Sequence, residues 1–197
     1  MNNHVLFEIL NAGPDLGPAP LAIAHFMATQ LTSIVLLVLA FVWVRGGHVV
    51  RRDVLEMLIG CALALGLAQL VLHFWPQPRP FMLNLGTQHL QHAATPGLPS
   101  HHVTFLWALA FTAWGTRRLK AFALPLFVTG LVVGWSRVFL GVHFPYDVLA
   151  AAPVALAGAV VSRRMRRPAM LLYSPILHGY RRLDKWVVAG LMTARHT

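Results

Sequence analysis

Five apolar runs separated by short polar blocks set the plan of this chain, at about residues 20–44, 54–75, 102–115, 121–140 and 146–161. A membrane-spanning helix needs roughly 20 mostly apolar residues, and the pattern predicts one helix for each run. The third run is short, so it must recruit flanking residues or lie beneath a thinned surface. Ahead of the first, Val5, Leu6, Ile9 and Leu10 fit one face of a short helix ending near Gly13-Pro14, which reads as interfacial. The first residues lack the basic start and long apolar stretch of a cleavable signal peptide. After the fifth run, the stretch from Met170 to Met192 is weakly amphipathic and holds Arg181, Arg182, Asp184 and Lys185, so it reads as surface-lying. The expected fold is all-α, a polytopic membrane helical bundle with about five transmembrane helices plus short interfacial helices. It forms one domain over residues 1–197, with the interfacial helix in 1–16, the five-span core in 20–162 and a basic cytoplasmic tail in 163–197.

Composition supports the membrane as solvent. Hydrophobic residues make up 57% of the chain and charged residues only 11%, against about 25% charged in soluble domains. The net charge of +10 raises the possibility of nucleic-acid binding. The basic residues, however, sit in short blocks between apolar runs, the arrangement of membrane-protein loops. No nucleic-acid partner is therefore expected. Arg45, Arg51 and Arg52 separate runs one and two, and Arg117, Arg118 and Lys120 separate runs three and four. Arg163, Arg164, Arg166 and Arg167 follow run five, and the tail adds Arg181, Arg182, Lys185 and Arg195. Five spans put all of these on one side, cytoplasmic by the positive-inside rule, and leave Arg79 and Arg137 for the other. The amino terminus is then outside and the carboxyl tail inside. The single cysteine, Cys61, has no intrachain partner and reads as a small apolar packing residue.

The longest polar segment, residues 76–101, falls on the outer side, and so long a loop in a compact protein is usually functional. Three segments there carry unusual polar residues. HFWPQPRPF holds His73 and Arg79, LPSHH holds Ser100, His101 and His102, and SRVFLGVHFPYD holds Ser136, Arg137, His143 and Asp147. Taken singly, each has a plain reading. An Arg-Pro after a span can be a snorkelling anchor, Ser100 an ordinary helix cap, and His143 with Asp147 a structural pair on one helical face. Together on one aqueous face they point to phosphate chemistry, since ionisable groups at membrane depth are functional by default. Guanidinium forks match phosphate oxygens and keep their charge. A neutral imidazole can attack phosphorus, a carboxylate on its other nitrogen fixes the tautomer, and a second histidine can move the leaving-group proton. The rival reading is a histidine metal site, since His89, His92, His101, His102 and His143 share that side. Zinc wants three or four ligands in fixed geometry, and no HExxH or similar spacing is present. No metal and no cofactor are expected.

These residues resemble the type 2 phosphatidic acid phosphatases. That family's pattern is a lysine followed after six residues by Arg-Pro, then Pro-Ser-Gly-His, then Ser-Arg, five residues, His, three residues, Asp. The third part is complete here as Ser136-Arg137, His143 and Asp147, the second reads Pro99-Ser100-His101-His102, and the first ends in Arg79-Pro80. The resemblance implies that His143 is the nucleophile, Asp147 its orienting partner and His102 the general acid, with Arg79, Ser100 and Arg137 holding the phosphate. It also implies a metal-independent enzyme built as a helical bundle. Two positions depart from the pattern: Leu72 stands at the lysine position, and His101 where Gly or Asp is usual. His101 is expected to replace part of the missing charge as a further phosphate-binding residue.

An Asn-Ala-Gly-Pro near the start, Arg-Pro-Phe and a His-Ala-Ala stretch before Pro-Ser-x-His are most similar to the bacterial undecaprenyl-diphosphatase branch. The branch implies a polyprenyl diphosphate lipid substrate, a bacterial inner-membrane location with the site facing outward, carrier-lipid recycling for peptidoglycan and resistance to bacitracin. Phosphatidic acid, phosphatidylglycerophosphate and lipid A phosphatases or phosphotransferases share the same residues and remain alternatives. A lipid-binding or transport protein is the non-enzymatic alternative. It needs no nucleophile, and transporters favour repeats and broken helices that this chain does not display.

Overall fold

The computed structural model describes residues 2–166 together with 174, 175, 179 and 180. Most of the surface-lying segment expected from Met170 to Met192 falls outside the described residues. Helices α1 (Asn3–Leu10), α2 (Pro18–Arg45), α3 (His48–Phe74), α4 (His101–Trp114), α5 (Ala123–Phe139) and α6 (Pro145–Arg164) follow in order, with 3-10 turns at Pro80–Leu83 and Lys120–Phe122. Among the described residues there is no strand. The all-α membrane bundle read from the apolar runs is the fold observed.

Local chemistry sets the helix ends. Proline opens α2 and α6 at a position where its missing N–H costs nothing. Arg45 closes α2 before Gly46 and Gly47, where a cation complements the helix carbonyls. Pro153 sits inside α6, which membrane helices tolerate when neighbouring groups re-satisfy the freed carbonyl.

Helix α4 is the axis of the bundle, packed by α3, α5 and α6. Four helices are long and apolar enough to cross a membrane, α2, α3, α5 extended through its 3-10 turn, and α6. Helix α4 has 14 residues, about 21 Å at 1.5 Å per residue, short of a hydrocarbon core of about 30 Å. Its course nevertheless matches that of α6. Ser100 N–H bonds Asp147 O at 3.0 Å at one end, and Gly115 lies against Arg163 at the other. Because Leu106, Trp107, Leu109 and Ala113 are almost wholly buried in protein, α4 need not match the lipid thickness on its own. Small residues permit the close approach: a Cβ on Gly158 would lie 2.6 Å from Ala64. Helix α2 is the opposite case. Only Ala24 and Ala28 are buried, while Leu37 and Phe41 are 70% and 64% exposed. A helix apolar all round is at home in lipid, and the protein is a multi-pass membrane protein.

The two ends of the bundle differ sharply. At one end the α2–α3 turn, the α4–α5 turn and the end of α6 bring the arginines together around two buried carboxylates. Asp53 accepts the backbone N–H of Arg118 at 2.8 Å, and the Glu56 carboxylate pairs with the Arg166 guanidinium at 3.2 Å. The motif segments gather at the other end, where α1 docks. Phe7 is fully buried against Phe144 (ring centroids 5.3 Å), and His4 stacks on the same ring at 5.2 Å. The apolar residues of α1 are thus divided. Phe7 turns into the protein, while Val5 and Ile9 stay exposed.

Candidate active site

Past the end of α3 the chain runs through residues 75–100 without regular structure except the turn Pro80–Leu83. Three anchors shape this loop. Asn11 spans it: its side-chain N–H groups reach Thr87 O and Phe139 O, each at 3.0 Å, while its oxygen accepts Thr87 N–H at 2.7 Å. His89 donates through Nε2 to Ala12 O at 3.1 Å, and its backbone N–H bonds Leu140 O at 3.0 Å. Gly141, at φ +80°, lets the loop come so close that a side chain there would run into Thr87 O. The loop is thereby laid against the end of α5 and the segment carrying His143.

Arg79 is 4% exposed and spends its guanidinium on neutral acceptors. Nε donates to Thr95 O at 2.8 Å, Nη2 to Pro96 O at 3.2 Å, and Nη1 to both Val142 O at 2.8 Å and His143 Nε2 at 2.9 Å. Burial lowers its pKa, opposed by the charge of Asp147. A guanidinium remains protonated at any working pH, so a fixed positive charge stands beside the imidazole.

His143 itself is 1% exposed. Its Nδ1–H donates to Asp147 Oδ2 at 3.1 Å, and the same oxygen accepts Phe144 N–H at 2.9 Å. Asp147 is the third residue of α6 and Phe144 its cap, so the carboxylate closes the helix and orients the imidazole at once. With Nδ1 carrying the proton, Nε2 presents its lone pair; this tautomer is assigned from the two bonds. Burial, then the charges of Arg79 and Arg137, hold the His143 pKa well below the ordinary imidazole value, so the ring is neutral near pH 7. A neutral imidazole with an oriented tautomer and a cation at its free nitrogen can act as a nucleophile toward an anionic phosphoryl group.

A cavity of about 510 Å³ opens beside these groups, lined by Leu72, His73, Arg79, His92, His101, His102, Arg137 and His143, with Gln69, Thr95 and Pro96. Five of the seven residues expected to form the site, Arg79, His101, His102, Arg137 and His143, therefore border one space. Arg137 is 2% exposed, bonds Ala28 O at 3.3 Å, and its Nε has no hydrogen-bond partner among the described residues. Asp147 and Ser100 stand outside the lining. Asp147 acts through His143. Ser100 is fully buried and caps α4 by position, yet its hydroxyl makes no cap bond; its backbone N–H ties α4 to Asp147 O. The plain capping reading therefore finds no bond in its support. Leu72 faces the cavity from α3, so the position of the pattern's lysine does border the site, with His73 and His101 beside it.

Among the described residues, no group of three or more His, Cys, Asp or Glu side chains is placed to hold a metal ion. His89 is committed to backbone carbonyls, His92 to Ala93 O at 3.0 Å and His143 to Asp147. Sequence reasoning did not find the carbonyls of Thr95, Pro96 and Val142, nor Gly97. A Cβ at Gly97 would lie 2.9 Å from Asp147 Oδ2 and 3.1 Å from Arg79 Cγ. A second, apolar groove of about 550 Å³ reaches Asp147, lined among others by Trp75, Leu83, Leu98, Phe144, Tyr146 and Leu149.

The family model described as PAP2 superfamily matches residues 53–170. A candidate undecaprenyl-diphosphatase of Escherichia coli (strain K12), YbjG, is 35% identical over 187 residues, covering 93% of this chain and 89% of the relative. The undecaprenyl-diphosphatase BcrC of Bacillus subtilis (strain 168) is 33% identical over 120 residues, 61% of each chain. Among solved structures, Aquifex aeolicus LpxE superposes with a TM-score of 0.64 at 23% identity, covering 81% of this chain and 93% of that one. A transmembrane PAP2-type phosphatidylglycerolphosphate phosphatase from Bacillus subtilis superposes with a TM-score of 0.62 at 19% identity, over 84% and 85%. At these identities the two structures speak for the fold.

Proposed function

The chain belongs to the PAP2 superfamily, and from that premise we propose that it hydrolyses undecaprenyl diphosphate to undecaprenyl phosphate through a phosphohistidine on His143. That it is a PAP2 lipid phosphatase follows from the family. The choice of lipid rests on the two relatives named for that activity and on the apolar groove reaching Asp147, which suits the first units of a prenyl chain.

One observation carries the mechanism: Nδ1 of His143 is engaged by Asp147, while Arg79 lies 2.9 Å from Nε2. When a terminal phosphoryl group enters, its oxygens take over N–H donors of Arg79 and Arg137. The Nε2 lone pair attacks phosphorus, and the bond from phosphorus to the bridging oxygen breaks. Its electron pair leaves with the lipid monophosphate. Asp147 balances the positive charge that develops on the imidazole. His102, on the cavity wall and expected from the resemblance as the general acid, serves here as the base: the phosphate leaving group departs without a proton, and His102 takes one from water as the water oxygen attacks the phosphohistidine. The P–N bond breaks, its electrons return to Nε2, and inorganic phosphate departs. His101, once it takes up a proton as the phosphate anion enters, supplies part of the charge that Leu72 does not.

The arginine-rich end of the bundle is cytoplasmic by the positive-inside rule, so the site faces outward from a bacterial inner membrane, where carrier lipid is released as the diphosphate. The test uses purified protein in detergent, given undecaprenyl diphosphate, phosphatidic acid and phosphatidylglycerophosphate, with phosphate release followed in EDTA. The diphosphate should be turned over fastest, unaffected by EDTA and abolished by His143→Ala. Faster release from either glycerophospholipid reassigns the substrate, and turnover surviving His143→Ala overturns the mechanism.

A further inference from the structure

The hydrolytic steps above leave two histidines on the cavity wall without a task, His73 at the end of α3 and His92. His92 comes from the loop ahead of α4 and borders the same cavity as Arg79, Arg137 and His143. Its ring centroid is 6.4 Å from that of His143, at 73°. A carbonyl only accepts, so the contact of His92 Nδ1 with Ala93 O at 3.0 Å fixes the proton on Nδ1. Nε2 is then the ring atom left for a ligand. Burial lowers the His92 pKa, and the charges of Arg79 and Arg137 act in the same direction, against the Ala93 bond. The ring is therefore within electrostatic reach of both phosphate-binding arginines and neutral until an anion arrives.

We infer that His92 binds the inner phosphate of a diphosphate substrate, the group that leaves with the lipid, and so selects diphosphates over monophosphate esters. The inference rests on the diphosphatase reading above. Its chemistry differs from that of the terminal phosphate. A phosphate monoester expels an alkoxide, which needs a proton from a general acid. A diphosphate expels a phosphate, already a weak base, and what it needs is a cation or donor where charge accumulates. When the bond from the terminal phosphorus to the bridging oxygen breaks, the electron pair stays on that oxygen and the inner phosphate gains a negative charge. The entering diphosphate offsets the two arginines, and Nε2 takes up a proton from solvent. His92 then bonds Ala93 O through Nδ1–H and the inner phosphate through Nε2–H. Arg79 and Arg137 remain with the terminal phosphoryl group. Leu72, at the position where the family pattern has lysine, makes this histidine donor matter more.

Farnesyl diphosphate and farnesyl monophosphate share one tail and differ by one phosphate. The full-length protein in detergent micelles is assayed on both, as wild type, His92→Asn and His92→Gln. Asparagine keeps a donor where Nδ1 stands and removes Nε2; glutamine keeps a donor near Nε2. His92→Asn should lower kcat/KM for the diphosphate about 10- to 100-fold and leave the monophosphate within about 2-fold, with His92→Gln recovering part of the loss. Inhibition by inorganic pyrophosphate against orthophosphate gives a second readout, and only the pyrophosphate constant should weaken. Equal loss on both substrates, or loss on neither, overturns the inference. A wild-type enzyme inert toward undecaprenyl diphosphate yet active on the farnesyl pair overturns the lipid assignment alone, while the ratio still judges His92. Inertness toward every diphosphate overturns both.

Discussion

Asp147→Asn separates charge from geometry at His143, the proposed nucleophile. In the structure one oxygen, Asp147 Oδ2, accepts both His143 Nδ1–H at 3.1 Å and Phe144 N–H at 2.9 Å. An asparagine with its amide oxygen at that place accepts the same two bonds, so the cap of α6 and the imidazole tautomer persist. What disappears is the negative charge facing the imidazole as it turns cationic. Asp147 is 2% exposed, so solvent screens the pair little. Two unit charges about 4 Å apart, the ring charge being delocalised, interact by about 4 kcal/mol at an effective dielectric constant of about 20. At 1.36 kcal/mol per decade, that corresponds to about a 10³-fold fall in kcat.

The assay is single-turnover phosphate release in detergent, with acid-quench trapping of the phosphohistidine and a thermal melt as the folding control. Asp147→Asn should melt near the wild type while forming the intermediate about 10³ times more slowly. Asp147→Ala removes the cap bond as well and should also lower the melting temperature. A fall in kcat of less than about tenfold in a well-folded Asp147→Asn would show that the carboxylate serves only the helix terminus. The charge-balancing role given to it would then be wrong.

Three further outcomes follow from the same geometry. His143 is held below the ordinary imidazole pKa of about 6.5 by burial and the neighbouring arginines. It loses its lone pair only when pH falls through that lowered value, so any acid limb of kcat/KM should be centred below about 6.5; an acid limb centred at or above that value refutes this. Gly97→Ala places a Cβ 2.9 Å from Asp147 Oδ2 and 3.1 Å from Arg79 Cγ, and a displaced reacting group should lower kcat by about 10- to 100-fold, read by initial rates beside an unchanged KM. Asn11→Ala removes three hydrogen bonds between the amino-terminal segment, the loop and the end of α5. At about 1 kcal/mol each it should destabilise by about 3 kcal/mol and open residues 84–95 to protease, and unchanged cleavage there would discount the clamp.

The helices were legible because hydrophobic periodicity and basic blocks are local signals, and each apolar run became a helix within a few residues. The motif residues were legible as a cluster, and the structure brings Arg79, Arg137 and His143 to one cavity with Asp147 bonded to the imidazole. Local signals do not record how a loop is laid. The carbonyls of Thr95, Pro96 and Val142 hold Arg79, and no side chain announces a carbonyl. Gly97 is set by the closeness of Asp147 and Arg79, which only the folded path creates. Asn11 was noticed as part of a branch feature, but its work is a bridge to Thr87 and Phe139. The buried Asp53 and Glu56 at the arginine-rich end gave no signal among so many cations. Helix α4 is the most instructive element. A run too short to span looked like a weakness, yet it is the helix that protein surrounds, and it carries Ser100, His101 and His102 at its start. Protein neighbours replace lipid around it, so its length answers to the distance between Asp147 and Arg163 on α6, not to the bilayer. The site is held to depth by that match.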